Sequence, residues 1–388
     1  MRTRTTRAGV AATVIALLTL ATAQGIVAAQ EPVVHDGTAV VGPPPAGVVG
    51  LGIDAAIGVA LVEASTGQVL VARGESVRRP VASAIKLVTA LVVTDALPTG
   101  TAITVGEEVR GVEGSSYELR PGEVRSVDDL LAGLLLRSGN DAAVALAVAV
   151  AGTEEAFVDR MVATLAALGI DARPGSSSGL DDEDALSAIE LATVARAALA
   201  EPRIRAIVGL PLLDVDGVTV ENRNLFLGDL EGATGLKTGF TSAAGFTLAA
   251  SARRDGRELV AVVLGATDDL ERRRVAARLL DHGFMTTTPT RIERSVSLRT
   301  TAGPVLYATR GATLTIASGV EVELGWPRSL RPDDELTAVG LIVAGADAGS
   351  IGVERRDGRR AEEGWSIGRA LADGAYAAMR PTGMAGVG

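Results

Sequence analysis

Strand-like sequence occurs twice in this chain, and a long helical block separates the two occurrences. Residues 53–62 alternate small and apolar side chains, Ser65-Thr66-Gly67 supplies a turn, and residues 68–73 return as a second strand. The period changes back after Gly232. Residues 235–241, 245–253 and 258–266 read as three more strands, with Asp255-Gly256 as one of the turns. A helix over residues 268–282 follows. Isolated hairpins are marginal in water. The economical fold is therefore a single antiparallel five-stranded sheet whose halves are distant in sequence, with helices packed on it and a helical subdomain inserted between them. The fold class expected is α/β in the α+β sense.

The inserted block divides at clear signals. Ile85, Leu87, Val88, Leu91, Val92 and Ala96 recur at helical spacing and predict a buried helix over residues 83–97, ended by Pro98 and Gly100. Ser126 caps a second helix, with Asp128 and Asp129 in its first turn and Leu130, Leu131, Leu134, Leu135 and Leu136 on its apolar side. Ser138-Gly139-Asn140 interrupts that helix. Further helices are expected over residues 142–150, 154–168 and 188–200.

Composition narrows the chemistry. The formal charge of −10 lacks the basic footprint of a nucleic-acid binder, so no nucleic-acid partner is expected. With no cysteine, thiolate nucleophiles and cysteine-held metals are excluded. Two histidines, His35 and His282, cannot make a three-histidine zinc site. Of 37 basic residues only Lys86 and Lys237 are lysines. A chain that uses Arg for generic positive charge has a reason to keep Lys where a proton must be lost, because an ammonium deprotonates when buried and a guanidinium does not.

The ends read differently from the middle. Arg2, Arg4 and Arg7, an apolar run over residues 9–29, and Ala21-Thr22-Ala23 or Val27-Ala28-Ala29 as cleavage sites predict a signal peptide over residues 1–29. Left uncleaved, the run would be the only membrane attachment expected. The mature chain is expected outside the cytoplasm, in the cell envelope or secreted. Residues 30–52, with Gly42-Pro43-Pro44-Pro45, read as a linker or wrapping arm that holds His35. Short strands punctuated by Pro and Gly predict a small β-rich domain over residues 286–362, before a tail at 363–388 in which residues 365–379 suit a short helix.

Three short motifs carry the chemistry. Ser83-Ala84-Ile85-Lys86 places a hydroxyl and an ammonium one helical turn apart. Lys86 can serve as base for Ser83 if burial or neighbouring positive charge lowers its pKa. Ser138-Gly139-Asn140 offers a hydroxyl and an amide at a polar turn; alone it reads as an ordinary helix–helix turn. Lys237-Thr238-Gly239 opens a strand, with a cation and a hydroxyl suited to a carboxylate and a glycine that allows close approach.

Both lysines fall in these motifs, in the order S-x-x-K, S-x-N, K-T-G. The trio is that of penicillin-binding proteins and class A β-lactamases. Over residues 53–285 the chain resembles, more narrowly, the low-molecular-mass D-alanyl-D-alanine carboxypeptidases. Gly114-Ser115-Ser116, Leu119-Arg120-Pro121-Gly122-Glu123, Ser126-Val127-Asp128-Asp129-Leu130-Leu131, Ser138-Gly139-Asn140-Asp141-Ala142, Gly235-Leu236-Lys237-Thr238-Gly239-Phe240-Thr241 and Val262-Val263-Leu264-Gly265-Ala266 carry that resemblance. It departs at Ile85, where the family often has Thr, and at Ser176-Ser177-Ser178-Gly179-Leu180, where the family has Asn-x-x-Gly-Leu.

The resemblance implies a β-lactamase/transpeptidase-like fold and a serine peptidase that removes the terminal D-alanine from peptidoglycan stem peptides. Ser83 would form the acyl-enzyme, Lys86 accept its proton and Ser138 relay it to the leaving amine. Asn140, Lys237, Thr238 and Gly239 would position substrate, and the backbone N–H groups of Ser83 and Phe240 form an oxyanion hole. It implies β-lactams as covalent inhibitors, and neither metal nor organic cofactor. A D,D-endopeptidase or a non-catalytic penicillin-binding sensor would share these motifs. A class A β-lactamase would carry a Glu-x-x-Leu-Asn pattern, which does not follow Ser138.

Overall fold

In a computed structural model, residues 51–292 apart from Ala56 are described, together with the strands Val33–His35, Thr38–Val40, Ser295–Thr300, Gly303–Thr309, Ala312–Ala317, Val322–Gly325, Ala338–Val343 and Ala346–Asp357. The expected sheet is present. Its antiparallel order is Ala233–Thr241, Gly245–Arg254, Arg257–Ala266, Gly58–Glu63, Val69–Arg73. The seam between its halves is the pairing of Gly58–Glu63 with Arg257–Ala266, in a register that sets Val62 opposite Val260.

Strand alternation divides the interior into two cores. Ala60 and Val62 face one way with Val260, Val262 and Leu264. Val59 and Leu61 face the other way with Leu259, Ala261 and Val263. The first core is closed by helices α1 (Lys86–Ala96), α2 (Val127–Leu135), α3 (Asn140–Ala151), α4 (Glu154–Ala167), α5 (Ala188–Ala200) and α6 (Pro202–Val208). The second is closed by α7 (Asp269–Thr286) through Val275, Ala276, Leu279 and Leu280. A sheet covered on both faces needs no polar face, which is why every residue of Gly58–Glu63 is buried.

Local signals behave as their chemistry requires. Ser126 caps α2 by accepting from the Asp129 N–H. Ser187 and Glu190 form a reciprocal capping box at the start of α5. Several boundaries shift. The first strand begins at Gly58 rather than residue 53. Lys237-Thr238-Gly239 lies in mid-strand rather than at a strand start. Ser83 belongs to a 3-10 turn, Ala82–Ile85, and Lys86 is the first residue of α1. The stretch 30–52, expected to lack regular structure, contains the hairpin Val33–His35/Thr38–Val40, whose Val40 pairs with Gly349 of the Ala346–Asp357 strand. His35 is thus a strand residue, and His282 lies within α7, which runs on to Thr286. Strands fill much of residues 286–362. Residues 1–29 and 363–388, with the expected signal segment and short helix, lie outside the described residues.

Candidate active site

The Ala82–Ile85 turn is wedged between the sheet and a loop. On the sheet side the backbone of Gly239 passes so close that a Cβ there would stand 2.7 Å from the Val81 carbonyl oxygen and 3.1 Å from the Ser83 nitrogen. On the loop side a Cβ on Gly179, at φ +87°, would stand 2.2 Å from the Ala82 carbonyl oxygen. Between these walls Ala82 adopts φ +50°, a left-handed conformation that costs a residue with a Cβ roughly 1–3 kcal/mol. The turn offers a partly exposed Ser83 side chain to a cleft of about 440 Å³.

Lys86 is 0% exposed. Its Nζ lies 2.9 Å from Ser83 Oγ and donates to Asn140 Oδ1 at 2.7 Å and to the Ser178 carbonyl. Ser83 Oγ is itself 3.5 Å from that carbonyl. Burial lowers the Lys86 pKa to about 7, against the opposing charges of Asp184 and Asp141. Of the two causes that could lower it, burial is the one at work. Asn140 opens α3 and is fixed at its other end, where Nδ2 donates to the Glu113 carbonyl at 2.7 Å. Asp141 pins the neighbouring loop by accepting from Ser116 Oγ at 2.7 Å, Tyr117 N at 2.7 Å and Leu119 N at 3.1 Å.

Lys237 is also buried, at 1% exposure. Its Nζ donates to Ser138 Oγ at 2.9 Å and to the Thr238 carbonyl at 3.0 Å. Burial, reinforced by the charges of Lys86, Arg272 and Arg223, pushes its pKa well below that of a free lysine. Ser138 sits at φ +61° in the turn between α2 and α3. Thr238 is half-buried, and Phe240 is 55% exposed at the cleft with its ring 4.4 Å from that of Phe246. From behind the strand Arg272 donates to the Gly239 and Thr247 carbonyls at 2.7 and 2.9 Å and so fixes the backbone between Thr238 and Phe240.

Of the eight residues singled out from the sequence, Ser83, Asn140 and Phe240 line the cleft, Lys86 joins Ser83 to Asn140, Gly239 packs against the turn, and Lys237, bonded to Ser138, lies with Thr238 on the same strand as Gly239. Three further contributors escaped notice. Arg137 and Arg223 line the cleft with Ser83, and Arg223 donates to Ser115 Oγ at 3.0 Å. Their mutual repulsion helps lower the Arg223 pKa, after burial. The third is the backbone carbonyl of Ser178, which no residue identity announces.

Known proteins resemble this chain in sequence and in fold. Residues 51–268 match the D-alanyl-D-alanine carboxypeptidase family of peptidases. D-alanyl-D-alanine carboxypeptidase DacD of Salmonella typhimurium is 39% identical over 238 residues, which span 58% of this chain and 61% of that protein. DacB2 of Mycobacterium tuberculosis is 34% identical over 53% of this chain and 72% of its own length. In three dimensions, penicillin binding protein 6B from Escherichia coli matches 81% of this chain and 98% of its own, with a TM-score of 0.65 and 30% identity. The match covers more than half of this sequence, including its S-x-x-K, S-x-N and K-T-G residues, and the chain belongs to the D-alanyl-D-alanine carboxypeptidase family.

Proposed function

We propose that the chain is a serine D-Ala-D-Ala carboxypeptidase that acts on peptidoglycan stem peptides outside the cytoplasm and is acylated by β-lactams. The observation that carries this reading is the 2.9 Å approach of a fully buried lysine amine to the hydroxyl of Ser83. A neutral amine has two N–H groups and one lone pair. With Asn140 Oδ1 and the Ser178 carbonyl accepting the two N–H groups, the lone pair is left for the Ser83 proton.

In the proposed reaction Ser83 Oγ attacks the carbonyl between the two terminal D-alanines as its proton passes to Lys86. The amide C–N bond then breaks. Ser138, whose oxygen already accepts from Lys237, relays a proton to the departing amine. Water releases the shortened peptide and restores Ser83. Asn140 orients the peptide, and the strand edge at Thr238–Phe240 aligns it beside the nucleophile. Lys237 and the Thr238 hydroxyl hold the substrate carboxylate, and the Arg223 and Arg137 guanidinium groups that line the cleft add positive charge.

The base must be neutral to work. Acylation by penicillin is therefore expected to rise with pH through about 7, where Lys86 loses its proton, and to fall away below it. A stopped-flow acylation profile between pH 5 and 9 checks this; a flat profile contradicts the assignment. The activity itself is tested with a pentapeptide ending in D-Ala-D-Ala. Mass spectrometry should find free D-alanine and the tetrapeptide. Penicillin acylation without D-alanine release would instead mark a sensor.

A further inference from the structure

The loop before α5 holds a carboxylate that the proposed reaction does not use. Asp184 is 0% exposed and forms no ion pair among the described residues. Its Oδ1 accepts from the backbone N–H groups of Gly175 and Ser176, each at 3.0 Å. Its Oδ2 accepts from Ser176 Oγ at 2.6 Å and Asp181 N at 3.2 Å. Its own backbone carbonyl accepts from the Val81 N–H at 2.8 Å, one residue before the strained Ala82. The adjoining Ala185 and Leu186 pair with Pro80 and Arg79. One residue thus ties the 175–184 loop both to itself and to the chain that delivers Ser83.

The connection continues to the reacting atoms. Ser176 Oγ, held by Asp184, accepts from the N–H groups of Ser178 and Gly179 at 3.2 and 2.9 Å. This orients the Ser178 carbonyl that meets Lys86 Nζ. The loop has other anchors, but they act at Ser177: Thr89 Oγ1 donates to its carbonyl at 2.6 Å, and its N–H and hydroxyl donate to Glu154. The charged groups that act on Lys86 are Asp184 from this loop and Asp141 from α3, and Lys86 in turn acts on Lys237 of the sheet. Those around Asp184 are Asp181 and, across Ser178, Lys86.

We propose that Asp184 is a positioning residue for acylation: it holds the Ser178 carbonyl on Lys86 through Ser176, and its negative charge raises the pH at which Lys86 can accept the Ser83 proton. The inference rests on the reading of Lys86 as the base. Its two halves separate by mutation. A negative charge favours the ammonium, so removing it frees the amine at lower pH. Burial lifts the Asp184 carboxyl to about 6, so the charge is largely in place near pH 7, where Lys86 loses its proton, and is itself neutralised lower on the acid limb.

The test is the pH profile of penicillin acylation by the full chain and two variants, each with a melting curve. Asp184→Asn keeps the size and loses the charge; the acid limb should move down by roughly one pH unit. Ser176→Ala keeps the charge and cuts the relay to Ser178. Its limb should stay in place, while the plateau rate falls by about 10²-fold if the carbonyl moves by an ångström. An Asp184→Asn limb that coincides with wild type, or a Ser176→Ala plateau equal to wild type, overturns the proposal. If the wild-type profile has no limb near 7 and Lys86→Gln acylates at full rate, the base assignment itself has failed. A limb that is lost in Lys86→Gln but unmoved in Asp184→Asn rejects this inference alone.

Discussion

Exchanging Lys86 for arginine should slow acylation by penicillin by about 10²–10⁴, the usual contribution of a general base. Charge survives the exchange; the ability to lose a proton does not. Lys86 is enclosed by Ser83, Asn140 and Ser178, so the larger guanidinium also strains its surroundings. Lys86→Gln separates the two effects, because it fits the space and can neither hold a charge nor accept the proton as an amine does. Both variants should be slow, and the glutamine variant should melt close to wild type. Stopped-flow acylation with the same penicillin reads the rates. Either variant within a few-fold of wild type would remove Lys86 from the role of base.

The second large effect is expected at Gly179. Its φ of +87° is unfavourable for any residue with a Cβ, and alanine there would thrust a methyl group to 2.2 Å from the Ala82 carbonyl oxygen and 2.7 Å from the Ser83 nitrogen. Both neighbours are backbone, so no side chain can swing aside. The loop must retreat and take the Ser178 carbonyl from Lys86. Overpacking of this kind costs about 1–3 kcal/mol of stability, and a displacement of an ångström at a reacting centre costs about 10²-fold in rate. Gly179→Ala should thus fold, melt earlier and acylate about a hundred times more slowly. Gly228→Ala is the control, since open space surrounds the site of its Cβ. Equal acylation by the Gly179 and Gly228 variants would mean that the loop does not shape the nucleophile.

The sheet was legible because its two halves carry strand periodicity on either side of a helical block, and only pairing them with each other buries both. Helix starts were legible where a cap was written in side chains, as at Ser126 and Asp129. The start of the first strand was not, because Ile53 and Ile57 are buried outside the sheet and supply apolar residues before Gly58 in the manner of a strand.

Legibility of the site followed residue type. Lys86 and Lys237 stood out because the chain otherwise uses arginine, with 37 basic residues in all. The same bias hid Arg137 and Arg223, which line the cleft but look like every other arginine in the sequence. Burial of Lys237 against Ser138 was also invisible, since a K-T-G triplet does not say whether its lysine faces the cleft or the core. Backbone contributors left least trace. The Ser178 carbonyl reaches Lys86 because Asp184 and Ser176 fold the loop around it, a relation between residues eight apart that no periodicity encodes.

The identity of the acylated residue tests the account most directly. The full chain is incubated with benzylpenicillin, digested, and mapped by mass spectrometry. The account predicts one adduct, on the peptide that contains Ser83, and none in Ser83→Ala. An adduct on Ser138 or any other serine, or labelling that persists in Ser83→Ala, would contradict it.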